Sequence, residues 1–283
     1  MKLLRYGSAG AELPGVLDSE GRIRALSPIV RDIDQDVLSP EGRRFLSAVD
    51  VTQLPVVPGT PRLGPPVRSV REIIAIGLNY SDHALEAALP IPDEPVVFGK
   101  STSSISGPYD DIVLAPGSTR TDWEIELGIV MGSVASRVGP DEAMASVAGY
   151  CMVNDVSERQ WQLHHNGQWG KGKSFDTYTP IGPWLVTPDE IANPQALELR
   201  LSVNDQQRQL GRTEDMICGV AHLVSYCSQF MTLQPGDLII TGTPAGVGLG
   251  MKPPAYLAAG DVITMGITGL GQQRHVVREA QQV

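Results

Sequence analysis

Two glutamates one residue apart, Glu124 and Glu126, sit in the segment DWEIELGIVM at 122–131. Ile125, Leu127 and Ile129 alternate there, as in a strand with one buried face. Side chains two apart share a face, so the glutamates point the same way, with Cα atoms about 6.5–7 Å apart. Gly128 and Val130 continue that face, which implies that it too is covered. Like charges on a covered face repel each other and are costly to desolvate. A hard divalent cation held by oxygen removes both problems. Asp155 follows the apolar run 149–153, where a strand end meets a helix, and is a suitable third ligand. A lone Glu-x-Glu pair more often faces solvent, so the weight of this assignment rests on its neighbours.

Lys173 lies in GKGKSFDT at 170–177, among glycines that permit close backbone access. Its ammonium could stabilise an oxyanion beside the cation; a solvated loop lysine is the alternative. The spacing is not that of a phosphate-binding Walker loop. His83 and Glu86, in GLNYSDHALE at 77–86, are neighbours if that segment is helical. A carboxylate beside an imidazole raises its basicity, which suits water activation, although a surface pair three residues apart gives the same pattern. The turn TGTPAGVG at 241–248 follows a short apolar strand and offers N–H groups and hydroxyls to a carboxylate; a plain tight turn reads the same. His164 and His165 are adjacent and so point apart, as loop residues rather than ligands.

The elements that must position these groups are mostly strands. From Ile73 onward short β-type runs recur between Gly, Pro and Asp, and helical stretches are few: 82–88, 140–145, 156–162 and 214–231. The last carries an apolar stripe at Ile217, Val220, Leu223, Val224 and Cys227. This texture predicts a β-rich α+β domain and lacks the strand–helix alternation of a doubly wound sheet. Before it, residues 1–65 read as a small N-terminal α/β module. Turn residues 18–21 join two short runs in a hairpin, and Ser39 caps a helix that Pro40 opens and that runs to about 49. Prolines at 55, 58, 61, 65 and 66 suggest a stiff connector, so the catalytic domain is expected over 66–283.

Net charge is −10, with no basic patch to overcome it, which argues against nucleic acid as a partner. No apolar run approaches a membrane span, and the opening MKLLRYGSAGAELPG lacks the apolar stretch of a signal peptide. A cytoplasmic location is expected. Cys151, Cys218 and Cys227 form no CxxC pair, so neither a disulfide framework nor a thiolate zinc site is expected.

Taken together, GLNYSDHALE, FGKSTSSISG, DWEIELGIV, NDVSERQWQ, GKSFDTYTPIGPW and GDLIITGTPAGVG resemble, in order, the motifs of the fumarylacetoacetate hydrolase superfamily over about 71–268. The resemblance implies a mixed β-sandwich roll that binds Mg2+ or Mn2+, as a homodimer or a dimer of dimers. It implies Glu124, Glu126 and Asp155 as metal ligands, and Lys173 beside the metal and the substrate oxygens. It also implies Gln162 as an aid to placing water, His83 and Glu86 as the dyad of a lid, and Thr243 as a substrate-carboxylate contact. Tyr80, Lys100 and Ser101, within the first two motifs, are carried over as substrate contacts. The implied chemistry acts on a small anionic keto acid: cleavage of a 2,4-diketo acid, in which the leaving fragment departs as a pyruvate enolate. The whole-chain pattern is most similar to hydrolases of 2,4-diketo-3-deoxy-L-rhamnonate or L-fuconate, which yield pyruvate and lactate. Acylpyruvate hydrolases and oxaloacetate decarboxylases come next, then hydroxymuconate isomerases and ureidoglycolate lyases. A metal-stabilised binding protein is the reading that involves no catalysis.

Overall fold

The alternating residues around the two glutamates form the strand Ile125–Met131, in the middle of an 11-stranded sheet. The computed structural model describes residues 1–86 and 90–280 of the chain. Val147–Asn154 pairs antiparallel with the glutamate strand on one side and Leu238–Ile240 on the other. Beyond Leu238–Ile240 lie Ile73–Gly77, parallel to it, and then the edge strand Val96–Lys100. In the other direction Thr179–Val186 pairs with Val147–Asn154, and Lys2–Tyr6 pairs with Thr179–Val186. The predicted hairpin, Leu13–Leu17 with Ile23–Ala25, continues the same sheet. Residues 1–65 are therefore joined to the rest by sheet hydrogen bonds. The proline-rich connector is itself held, because Leu63–Gly64 pairs with Lys2–Tyr6.

Both faces of the central sheet are covered, as a layered fold requires. Ile125, Leu127, Ile129 and Met131 share one core with Leu199, Leu201, Ile263 and Met265 of a separate five-stranded sheet, and with the helix Val220–Phe230. Val130, Cys151, Val153 and Ile240, on the opposite face, pack against Leu3, Ile33, Val37, Leu38 and Leu46 of the N-terminal module. The period of two thus sends the isoleucines to one layer and the glutamate side to the other. The chain is strand-rich with few helices, matching the expected fold class.

The helices differ from expectation mainly at their ends. Pro40–Ser47 is capped as predicted, with Ser39 Oγ accepting from Gly42 N at 2.9 Å. The segment 140–145 is helical only over Pro140–Ala143 and then tightens into a 3-10 turn, Met144–Ser146. The helix expected from 156 begins at Arg159, because Ser157–Glu158 is drawn into a two-stranded ladder with Thr121–Asp122. The helix expected from 214 begins at Val220, with Gly219 at its N-cap; Ile217 lies ahead of it and is exposed, so it is no part of the stripe. The helix placed at 82–88 runs over Ser81–Glu86, and its expected last two positions lie outside the described residues. The three cysteines are free. Among the described residues no helix is long and apolar enough to cross a membrane.

Candidate metal centre

Glu126 lies within the central strand and Glu124 just before it, while Asp155 immediately follows the neighbouring strand. The ladder fixes their register: Asp155 N donates to Glu124 O at 2.8 Å. One carboxylate oxygen from each of Glu124, Glu126 and Asp155 lies within 4.8 Å of the other two, and all three residues are buried. Lys173 Nζ donates to Glu124 Oε2 and to Asp155 Oδ2, each at 2.6 Å. Arg159 reaches Glu124 Oε1 at 2.7 Å and Asp122 Oδ2 at 2.8 Å. Lys100 Nζ donates to Asp155 Oδ1 and, at 2.9 Å, to Tyr178 O.

Glu126 differs from its neighbours. Among the described residues its carboxylate accepts one hydrogen bond, from Gly242 N at 2.8 Å from Oε2, and forms no salt bridge. Burial, followed by repulsion from Asp155 and Glu124, pushes its carboxyl well above the ordinary value. Burial would raise Glu124 as well, but Lys173 and Arg159 hold that group down to about 2. A divalent cation fits this arrangement. The three convergent donors are hard oxygens from carboxylates, the set that suits Mg2+ or Mn2+, and Glu126 is a buried carboxylate that no cation among the described residues contacts directly.

The glycine-flanked lysine segment is not an open loop. Gly170–Lys173 forms one helical turn packed beneath the helix Arg159–His164. A Cβ on Gly172 would lie 2.4 Å from Glu158 O and 2.5 Å from Gln162 N, so only glycine lets the two turns approach this closely. That approach holds Lys173 at the carboxylates. Gln162 Oε1 accepts from Arg159 Nη1 at 2.9 Å. Since a guanidinium can only donate, the Gln162 amide oxygen is committed, and its NH2 group remains available as a donor at the cavity it lines.

The helix Ser81–Glu86 closes one side. His83 Nδ1 lies 3.5 Å from Glu86 Oε2, longer than a well-formed hydrogen bond. Glu86 accepts from Gly246 N at 3.1 and 3.0 Å, which docks the helix on the turn at 241–248. Burial raises the Glu86 carboxyl, yet His83 and the N–H groups of Gly246 and Val247 outweigh it and leave the group below its ordinary value.

His83, Gln162, Lys173 and Thr243 line the cavity over the three carboxylates, about 60 Å³ in volume. The four expected substrate contacts, Thr243, Lys100, Tyr80 and Ser101, have different surroundings. The turn at 241–248 does hold a carboxylate through a backbone N–H, but it is that of Glu126. The Thr243 hydroxyl donates to Ile125 O and accepts from Gln209 Nε2. Lys100 is enclosed behind Asp155 and away from the cavity lining, because its chain runs from the edge strand under the carboxylates. Tyr80 is fully buried, its hydroxyl without a partner among the described residues, and lies outside the lining. Ser101 is exposed and caps the turn Thr102–Ser104. A larger concavity of about 720 Å³, on the outer face of the five-stranded sheet, contains none of the predicted site residues.

Two residues of the floor were not singled out from the sequence. Asp122 accepts from Gly248 N at 2.7 Å, Leu249 N at 2.9 Å and Arg159 Nε at 2.8 Å. Arg159 joins it to Glu124 and Gln162. The signals were available: Asp122 is two residues before Glu124, and Arg159 is three before Gln162, one helical turn away.

The profile of the fumarylacetoacetate (FAA) hydrolase C-terminal family matches residues 72–278. A relative in Burkholderia multivorans, named only as a hydrolase by inference, is 56% identical over 99% of this chain and 100% of its own. The fumarylacetoacetate hydrolase of psychrophilic Exiguobacterium antarcticum is a similar solved structure, with a TM-score of 0.88 and 36% identity over 99% of this chain and all of that one. The maleylpyruvate hydrolase of Sphingobium sp. SYK-6, solved with manganese(II) and pyruvate, has a TM-score of 0.82 and 29% identity over 99% of this chain and all of its own. A 2-hydroxyhepta-2,4-diene-1,7-dioate isomerase of Mycobacterium marinum has a TM-score of 0.74 and 32% identity over the whole of both chains.

Proposed function

The chain belongs to the fumarylacetoacetate hydrolase family, and from that premise we propose that it is a divalent-cation-dependent hydrolase of 2,4-diketo acids. The reaction takes an acylpyruvate and water to a carboxylate, pyruvate and a proton. The bond between the methylene and the distal carbonyl carbon breaks. The water oxygen bonds to that carbonyl carbon, and the methylene takes up a proton to become the methyl of pyruvate. Deoxy-sugar acids, which the motif resemblance puts first, are members of this class.

The observation that carries the proposal is the buried trio of Glu124, Glu126 and Asp155, with Glu126 in no salt bridge among the described residues. These three residues would hold Mg2+ or Mn2+, which when bound acts as a Lewis acid toward carbonyl and carboxylate oxygens. Burial lowers the Lys173 ammonium pKa, but Asp155 and Glu124 outweigh it, so the group stays charged. That fixed charge opposes the negative charge that develops on the leaving fragment. His83 receives the proton of the attacking water, and Glu86 at 3.5 Å favours the imidazolium that results. The NH2 group of Gln162 donates to an oxygen in the cavity. The tie between Glu86 and Gly246 seats the helix that closes over these groups.

The test is pyruvate release from a panel of acylpyruvates. Turnover is expected with Mg2+ or Mn2+, lost on adding a chelator and absent in Glu126→Gln. Turnover that persists in excess chelator would sink the metal assignment. The similarity to an isomerase supports a second reading on the same floor. His83→Ala separates the two, since it should stop hydrolysis while sparing a reaction that consumes no water.

A further inference from the structure

The floor of the cavity is charged, but its rim is not. Leu78, Phe98, Leu163, Trp169 and Leu249 line the same cavity, and each is partly or well exposed. Two of these positions, Phe98 and Trp169, are built together. The benzo edge of Trp169 lies against Gly77, where a Cβ would stand 2.3 Å from Cζ3. Phe98 meets the Trp169 indole edge to face, with ring centroids 5.4 Å apart. Lys173 Nζ in turn sits 5.5 Å from the centre of the Phe98 ring. The aromatic wall therefore starts at the ammonium and runs outward. At about 60 Å³ the enclosed space has room for an ion and a few oxygen ligands only. Among the described residues, the rim is the apolar surface next to that space for whatever the substrate carries beyond its second carbonyl.

We propose that this rim is an apolar subsite, with Trp169 its main contact, that selects 2,4-diketo acids whose acyl group is alkyl, alkenyl or aryl over those bearing a hydroxyl beside the distal carbonyl. The inference rests on the hydrolase reading and names its substrate class. A hydroxyl laid on Leu163, Leu249 and the ring faces loses its water and gains no partner. An alkyl or aryl group gains contact area there instead. Deoxy-sugar acids, whose acyl group carries such a hydroxyl, are accordingly weaker substrates.

The experiment compares two near-isosteres, propanoylpyruvate and lactoylpyruvate (2,4-diketo-3-deoxy-L-rhamnonate), with acetylpyruvate and benzoylpyruvate added. With Mg2+ present, kcat/KM for the propanoyl substrate should exceed that for the lactoyl one by about tenfold or more. Trp169→Ala should cost about tenfold on the benzoyl substrate and less than about twofold on the acetyl one, and Trp169→Phe should restore most of the loss. Calorimetric binding of the same acids to the ion-loaded His83→Ala protein reads the rim whether or not the bond is cut. A binding preference for propanoyl without pyruvate release by the wild type would uphold the rim and overturn the hydrolase reading. Equal or tighter binding of the lactoyl compound, or a uniform loss across the panel in Trp169→Ala, would overturn the subsite.

Discussion

Glu124 and Glu126 are two positions apart on one face, yet their surroundings drive their protonation in opposite directions. Glu126, raised well above its ordinary value of 4.5, binds its proton more tightly in the folded chain than in the unfolded one. Its contribution to stability is therefore complete below that ordinary value and is lost as pH rises through the higher folded value. Without a divalent ion, the melting temperature should fall as the buffer is made more alkaline. With Mg2+ the carboxylate is required in its charged form, so the stabilisation by the ion should grow over the same range. Thermal unfolding with and without chelator across pH measures both, and Glu126→Gln should flatten the two curves. Lys173→Met tests the opposite partner. It leaves Glu124 and Asp155 without the ammonium now 2.6 Å from each, and should lower stability by about 3–5 kcal/mol in denaturant titration of the ion-free protein, as well as abolishing turnover.

Among the elements, the pair of turns over Arg159–His164 and Gly170–Lys173 carries the finest tolerance. Gly172→Ala must push one turn from the other, because both near contacts are backbone atoms. The expected cost is about 1–3 kcal/mol, together with a fall in kcat as Lys173 and Gln162 separate; melting and steady-state kinetics would show both. This also marks how far the sequence could be read. The Glu-x-Glu strand was legible because a period of two needs only local alternation, and Asp155 because an apolar run ends before it. The lysine turn was not, since GKGK has weak local preference and is helical only because it packs on another helix. Lys100 was placed at the substrate on motif order alone, whereas its position behind Asp155 depends on an edge strand three ladders away from the carboxylate pair. Arg159 escaped notice because its partners, Asp122 and Glu124, are 37 and 35 positions distant, and only folding brings them together.

At the scale of the whole molecule, the N-terminal residues act as a layer rather than an attachment. Leu3, Val37, Leu38 and Leu46 cover Val130, Cys151 and Val153 on the back of the central sheet. Arg62 also ties Glu12, at 2.9 Å, to Asp110. A chain lacking residues 1–65 should therefore expose both that face and the edge of Thr179–Val186, and be recovered as aggregate; size-exclusion chromatography decides this. A soluble, active fragment would show that the layer is dispensable. The charged floor has a consequence for kinetics. Four buried carboxylates, Asp122, Glu124, Glu126 and Asp155, face three cations, Lys100, Arg159 and Lys173. With Glu126 holding its proton, the empty floor sets three charged carboxylates against three cations and offers a keto acid no net attraction, whereas the loaded floor, with Glu126 ionised, carries a net positive charge and attracts it. Binding should thus be ordered, the ion first and the organic anion second. Initial-rate patterns should show the ion's apparent affinity tightening as substrate rises, and the keto acid alone should leave the melting temperature unchanged.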